Sequence, residues 1–304
     1  MFSDVIVTTA GGDRIAVRDF GRHGPPIVLL HGAGLNLAMW DGLASRIAEL
    51  YHLVALDFLG HGESVASGAR SVGGDLAAIA TVIDELGLVR PVLVGHSYGG
   101  LLAVLYASTH ADCRQVVNLD GLAGGRARSD HYLDQPAQSV ATFWSTYLAQ
   151  LRTMVPPTDS GDDAWLQAEY AQAESAQEPG VDPEILAGLL ERTYGRSGNG
   201  TWERRPTGSA LLAMIEALGH VDIFGAYREV SCPVTLVLAR PQRGLPEALE
   251  GFLVSYFRAF ARAFPSLGDY LPERRLFTVD SGHGFPIEDP DALADLLRRL
   301  VPSS

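Results

Sequence analysis

An apolar run, Pro91-Val92-Leu93-Val94, leads without a spacer into Gly95-His96-Ser97-Tyr98-Gly99-Gly100, and the chain then continues as Leu101-Leu102-Ala103-Val104-Leu105. A short run with no polar alternation is what a strand buried on both faces requires, and the longer apolar stretch after the glycines reads as a helix. The unit is therefore strand, sharp turn, helix, with Ser97 at the apex. Side chains two residues to either side of the apex would collide with the turn or with a neighbouring strand, which is why glycine stands at 95 and 99. The helix that follows points its positive dipole end at Ser97. Gly-x-Ser-x-Gly on its own is common by chance. Placed between a buried strand and a helix, it commits the chain to a layered α/β fold with Ser97 at the end of an interior strand.

The same apolar pattern returns at Ile27-Val28-Leu29-Leu30, Leu53-Val54-Ala55-Leu56, Val116-Val117-Asn118-Leu119, Val234-Thr235-Leu236-Val237-Leu238 and Leu276-Phe277-Thr278-Val279. Residues 3–8 and 14–19 read as a hairpin around Gly11-Gly12. Helical segments are predicted near 39–50, 71–86, 98–110 and 289–301. Within the second, Leu76, Ile79 and Ile83 share one face, and Gly87 suits the C-terminal cap. Strands alternating with helices predict a mostly parallel sheet flanked by helices. Residues 122–228 break the alternation. No strand is predicted there, and the region is rich in Ala, Gln and Glu, with Phe143, Trp144, Tyr147, Trp165 and Tyr170. Pro156-Pro157 and the glycines between 195 and 200 divide it into short helices, and 159–180 reads as a solvated helix face with a flexible start. We expect 122–228 to be a helical cap inserted into a core made of 1–121 and 229–304.

Composition narrows the function. The 304 residues are 47% hydrophobic and 19% charged, enough for a large core, and the formal charge of −13 provides no basic field for nucleic acid. All 23 cationic side chains are Arg, so a lysine Schiff base and a Walker-type phosphate loop are excluded. The N-terminus has neither the basic nor the apolar stretch of a secretion signal, and no run is long enough to span a bilayer. Two cysteines, Cys113 and Cys232, sit beside strand-like runs, as small buried residues of a reduced cytoplasmic protein would. The nine histidines show no metal-ligand spacing, so neither metal nor cofactor is expected. The expected partner is a small-molecule substrate, with no nucleic acid or membrane; monomer and homodimer both remain open.

On the Gly95–Gly99 unit and three further segments, the chain resembles the α/β-hydrolase fold superfamily over most of its length outside the cap, which implies an eight-stranded, mostly parallel sheet. His31-Gly32-Ala33-Gly34 follows the run at 27–30, where the family keeps half of its oxyanion hole. The resemblance implies that the backbone N–H groups of Ala33 and Tyr98 hold the oxyanion. A dinucleotide-binding reading of Gly32-Ala33-Gly34 fails for want of a third glycine, since Leu37 stands there. Asp57, His61 and Ser64, in the loop after the next strand, are expected to be structural. Ser281-Gly282-His283-Gly284-Phe285-Pro286 matches the family's histidine loop, with His283 as base. The usual acid position, after Val234–Leu238, holds no carboxylate until Glu247. Asp120, at the end of the preceding strand, is the alternative that some branches of the family use; its competing role is to cap the start of the inserted segment.

The implied triad is Ser97, Asp120 and His283, in the chain order of this fold. The implied activity is hydrolysis of a carboxylic ester or lactone of a small apolar molecule, with His31, Trp144, Tyr147 and Phe285 expected in the substrate pocket. Hydrolysis of a C–C, amide or thioester bond uses the same residues, and so does perhydrolysis. A ligand-binding protein or a biosynthetic cyclase can also keep such a pocket. Haloalkane and epoxide chemistry is disfavoured, because relatives performing it carry Asp where Ser97 stands.

Overall fold

The computed structural model describes residues 2–21, 23–122, 124–176, 181–239, 247–264, 275–278 and 282–302, without the side chains of 247–250 and 275–278. The chain runs β1 (Ser3–Thr8), β2 (Arg14–Asp19), β3 (Pro26–Leu30), α1 (Asp41–Ile47), β4 (His52–Leu56), α2 (Val72–Glu85), β5 (Val92–His96), α3 (Tyr98–Thr109) and β6 (Gln115–Leu119). It continues through α4 (Ala137–Met154), β7 (Ser160–Gly161), α5 (Asp163–Ser175), α6 (Pro183–Thr193), β8 (Tyr194–Arg196), β9 (Trp202–Arg204), α7 (Gly208–Gly219) and α8 (Ile223–Glu229). The last elements are β10 (Val234–Leu238), α9 (Glu247–Ala263), β11 (Arg275–Thr278), α10 (Phe285–Glu288) and α11 (Pro290–Leu300).

Eight strands form one sheet in the order β1-β2-β4-β3-β5-β6-β10-β11. The hairpin β1–β2 joins it antiparallel, and every pairing from β4 to β11 is parallel. The apolar runs are continuous because both faces are covered. Along β3, Val28 and Leu30 enter the core on one face and Ile27 and Leu29 the core on the other, all fully buried. Burying such side chains contributes about 1.5–3 kcal/mol each, and the strand period of two serves both layers at once. One layer contains residues of α2, α3, α8 and α9; the other contains residues of α1, α6 and α11.

Local signals behave as the sequence suggests at α2. Ser71 caps it by accepting from Gly74 N, Ile79 and Ile83 are buried, and Gly87 follows the helix at φ 62°. Residues 122–228 depart from expectation. They contain a three-stranded sheet, β7-β9-β8, in place of helices alone. Its strands are two or three residues long, too short for any alternation to register in the sequence. Helix α5 occupies most of the acidic, Gln-rich stretch; residues 177–180 lie outside the described ones.

The region is also rooted in the core. Val140 and Phe143 of α4 join the α3 layer, Ile185 and Leu189 of α6 join the opposite one, and Ile223, Phe224 and Tyr227 of α8 are buried beside α3. Arg192 on α6 donates to Asp57 Oδ2 at 2.7 Å, and Asn36 Nδ2 donates to Leu189 O at 2.9 Å. Among the described residues no single helix is long and apolar enough to cross a membrane.

Candidate active site

Ser97 sits between β5 and α3 at φ 51° and ψ −110°. L-residues rarely adopt such a backbone; it costs about 1–3 kcal/mol and persists only where surrounding contacts enforce it. Here Ser97 N donates to Leu119 O at 2.8 Å, Gly99 N to His31 O at 3.0 Å, and Leu101 N to Ser97 O at 3.1 Å. The glycines allow this closeness. A Cβ on Gly95 would lie 2.2 Å from Gly99 O, and one on Gly99 would lie 2.2 Å from Leu30 O. Both obstacles are backbone atoms that have no room to retreat.

Tyr98 opens α3, and the first amides of a helix have no carbonyl behind them within the helix. Its side chain is buried, and its hydroxyl donates to Asp75 Oδ2 at 2.5 Å. Ala33 lies in the loop after β3, where Leu35 N donates to Gly32 O at 3.1 Å and Gly34 N to His61 Nε2 at 3.3 Å. This loop rests on the His96 ring, since a Cβ on Gly32 would come within 2.8 Å of His96 Nδ1.

Asp120 follows β6 at φ 58°. Its N donates to Val237 O at 2.7 Å, and its Oδ1 accepts from Ala239 N at 3.1 Å, so the end of β10 fixes the carboxylate. Oδ2 accepts from His283 Nδ1 at 2.6 Å. Burial pushes the Asp120 carboxyl up, but the His283 bond and charge and the Ala239 N–H outweigh it, and the group titrates below the ordinary aspartate range. The bond to Asp120 leaves Nε2 as the free basic nitrogen of His283. Among the described residues Ser97 Oγ does not hydrogen-bond to that ring; such bonds are often long in an unliganded site.

His96 was visible in the sequence only as a letter of the serine motif. In the fold its Nε2 donates to His283 O at 2.7 Å, and its ring packs against that of His283 with centroids 4.7 Å apart. Full burial, aided by neighbouring His283, drives the His96 pKa down to about 3, so it stays neutral.

The four expected pocket residues divide. His31 is completely buried, donates Nδ1–H to Gly32 O at 2.8 Å and accepts from Phe58 N at 3.0 Å. Both ring nitrogens are thus engaged by loop backbone. Phe285 is buried with its edge towards His96. Trp144 and Tyr147 pack together on α4, and Gly219 presses against the indole. None of the four lines the cavity of about 220 Å³ that begins at Gly34, one residue beyond Ala33. Its walls include Leu151 of α4 and Val155 just after it, Leu211 and Ile215 of α7, and Arg205. Neither Ser97 nor His283 lines it. Asp57 is structural in geometry: its carboxylate accepts from Leu37 N, Glu63 N and Arg192. Arg240 to Gly244, Ser281 and the side chain of Glu247 lie outside the described residues.

Comparison with known proteins identifies the family. The alpha/beta hydrolase family matches residues 27–296. Lipase LipV of Mycobacterium tuberculosis is 29% identical over 288 residues, which is 94% of this chain and 97% of that one. An uncharacterized protein of the same organism is 37% identical over 100 residues, 33% of this chain, and the match spans only 29% of that protein's length. The crystal structure of E-2-(acetamidomethylene)succinate hydrolase superposes with a TM-score of 0.71 at 19% identity, covering 99% of both chains. At that identity the likeness speaks to the fold.

Proposed function

The chain belongs to the alpha/beta hydrolase family, and from that premise we propose that it hydrolyses a carboxylic ester or lactone of a small apolar molecule through an acyl-enzyme on Ser97. The observation that carries the reading is the 2.6 Å bond from His283 Nδ1 to a carboxylate at the end of β6, beside the strand that delivers Ser97.

Asp120 holds the imidazole in the tautomer that keeps Nε2 unprotonated. His283 takes the Ser97 proton as Oγ attacks the carbonyl carbon, and the carbonyl electron pair moves to oxygen. The Ala33 and Tyr98 amides, at the positive end of α3, receive that oxyanion. Collapse expels the alcohol, which takes its proton from His283. Water then attacks the acyl group with His283 again as base, releasing the acid and free Ser97. Asp120 stays ionised throughout, as its lowered pKa requires, and neutral His96 adds no positive charge beside the imidazolium.

Residues 122–228 serve in this reading as the cap over the site, with a small-molecule substrate beneath it. The two buried, free cysteines fit a reducing cytoplasm.

Labelling with a fluorophosphonate tests the nucleophile, and a panel of p-nitrophenyl esters and lactones tests the bond type. Stoichiometric labelling lost in Ser97→Ala, with turnover of short esters, is the expected result. An unlabelled Ser97 would overturn the reading in favour of a ligand-binding or cyclase role. Labelling without ester turnover would point to C–C, amide or thioester substrates.

A further inference from the structure

The cavity next to the Ala33 loop contains an unneutralised cation. Its walls are mostly apolar, from α4 and α7, and two arginines complete them. Arg204 is paired with both Glu169 and Asp159. Arg205 has no carboxylate within ion-pair distance among the described residues. Its guanidinium makes a single long bond, from Nη1 to Gly62 O at 3.4 Å. The group is half-buried and packs against Gly195, where a Cβ would come within 2.0 Å of Cζ and 2.2 Å of Nη2.

A guanidinium offers five donors in a fixed fork, and keeping one out of bulk water without a counter-ion is costly. Its backbone leaves it little choice of position: Arg205 N donates to Thr193 O at 2.7 Å, tying it to the end of α6. The absence of Cβ on Gly195 gives the guanidinium its seat. The apolar walls suit a hydrocarbon chain, and the unpaired fork suits a planar anion at the end of that chain.

We propose that this cavity is the subsite for the substrate's acyl chain, and that the chain ends in a carboxylate bound by Arg205. The proposal rests on the acyl-transfer reading of Ser97 and narrows its substrates to half-esters, or lactone equivalents, of short dicarboxylic acids. The ester carbonyl meets Ser97, the methylenes run past Gly34 between α4 and α7, and the distal carboxylate meets the guanidinium. The cap thereby selects on charge as well as on size, in a protein whose net charge of −13 otherwise repels anions.

The test compares esters of equal length, p-nitrophenyl hexanoate and the mono-p-nitrophenyl ester of adipic acid. Binding of hexanoate and adipate to the intact protein is measured alongside by calorimetry. Wild type should favour the carboxylate-ended ester in kcat/KM by about tenfold or more, the worth of a charge-assisted bond. Adipate should bind more tightly than hexanoate by a similar factor. Arg205→Gln should collapse both ratios towards one, and Arg205→Lys should restore part of them. Equal handling of the two esters by wild type, or a preference that survives in folded Arg205→Gln, would overturn the proposal. If neither ester is cleaved, the ester reading of the Ser97 chemistry fails, and the adipate-to-hexanoate binding ratio still decides the subsite.

Discussion

Asp120 reaches His283 from a left-handed backbone: its φ is 58°, and its Oδ2 lies 2.6 Å from Nδ1 of the imidazole. A non-glycine residue is held there because β10 grips both sides of it, Val237 O accepting from its N–H and Ala239 N donating to its carboxylate. Asp120→Asn keeps the shape, but with its oxygen held by Ala239 N it turns an NH2 donor towards His283 Nδ1 and selects the other tautomer. We expect kcat to fall by up to roughly 10⁴-fold, by analogy with serine proteases, with little change in melting temperature. Glu247→Gln, measured beside it, should stay near wild type. Near-neutral Asp120→Asn would remove Asp120 from the machinery.

A second carboxylate, Asp75, accepts from the hydroxyl of Tyr98, the residue after Ser97. Burial pushes Asp75 up to about 6, against the pull of the Tyr98 hydroxyl, the Leu59 N–H and Arg70. Its folded pKa is raised above the ordinary 3.8, so the folded state binds this proton more tightly than the unfolded chain. Ionisation of Asp75 therefore opposes folding: its contribution is most favourable below pH 4, declines as pH rises to about 6, and is fully unfavourable above that. Two pKa units correspond to about 3 kcal/mol. Depressed groups such as Asp4 and Asp120 slope the other way, so the informative quantity is a difference. Urea unfolding of wild type and Asp75→Asn between pH 4 and 8 should show the variant gaining relative stability with rising pH. A constant difference would show that Asp75 has an ordinary pKa.

Helix α6 is clamped to the loop after β4 by a buried charge pair. Arg192 of α6 is 8% exposed and donates to Asp57, which is fully buried and also accepts two backbone N–H groups. Removing one partner of such a pair strands the other, at a cost of about 3–5 kcal/mol. Arg192→Met should therefore lower the denaturation midpoint strongly, and adding Asp57→Asn should recover part of the loss, a non-additivity that identifies direct contact. Additive losses would mean that α6 is held elsewhere.

What was legible in the sequence follows from period and from glycine. The strands were visible because both faces of β3, β4, β5 and β6 are covered, leaving unbroken apolar runs. Ser97 was visible because its neighbours at 95 and 99 must lack Cβ. The approach of Asp120 to His283 was foreshadowed by a carboxylate at the end of the strand before the usual acid position, which holds none until Glu247. Other features depend on contacts far apart in the chain. Arg192 is an ordinary helical arginine until Asp57, 135 residues away, is placed beneath it. His31 stands beside the Ala33 loop in sequence, and only the fold shows that its Nε2 accepts from Phe58 N, 27 residues away. The β7-β9-β8 sheet is built from pairings too short to leave a pattern.

His96 illustrates the same limit and yields the last prediction. Its Nε2–H supports the carbonyl of His283 at 2.7 Å, and its ring lies between the Gly32 loop and the His283 imidazole. It touches no reacting atom in the proposed mechanism, so its role is to position the base. His96→Leu removes the donor and leaves the His283 carbonyl unsupported; a displacement of about 1 Å costs on the order of 100-fold, so kcat should fall by roughly 10–100-fold with KM nearly constant. His96→Gln, which carries an N–H at a similar reach, should recover most of the rate. With a pKa of about 3, His96 adds no ionisation to the rate profile above pH 4, so the profile of the Gln variant should overlay that of wild type there. A purely structural role would lower the melting temperature of both variants while leaving kcat per folded molecule unchanged.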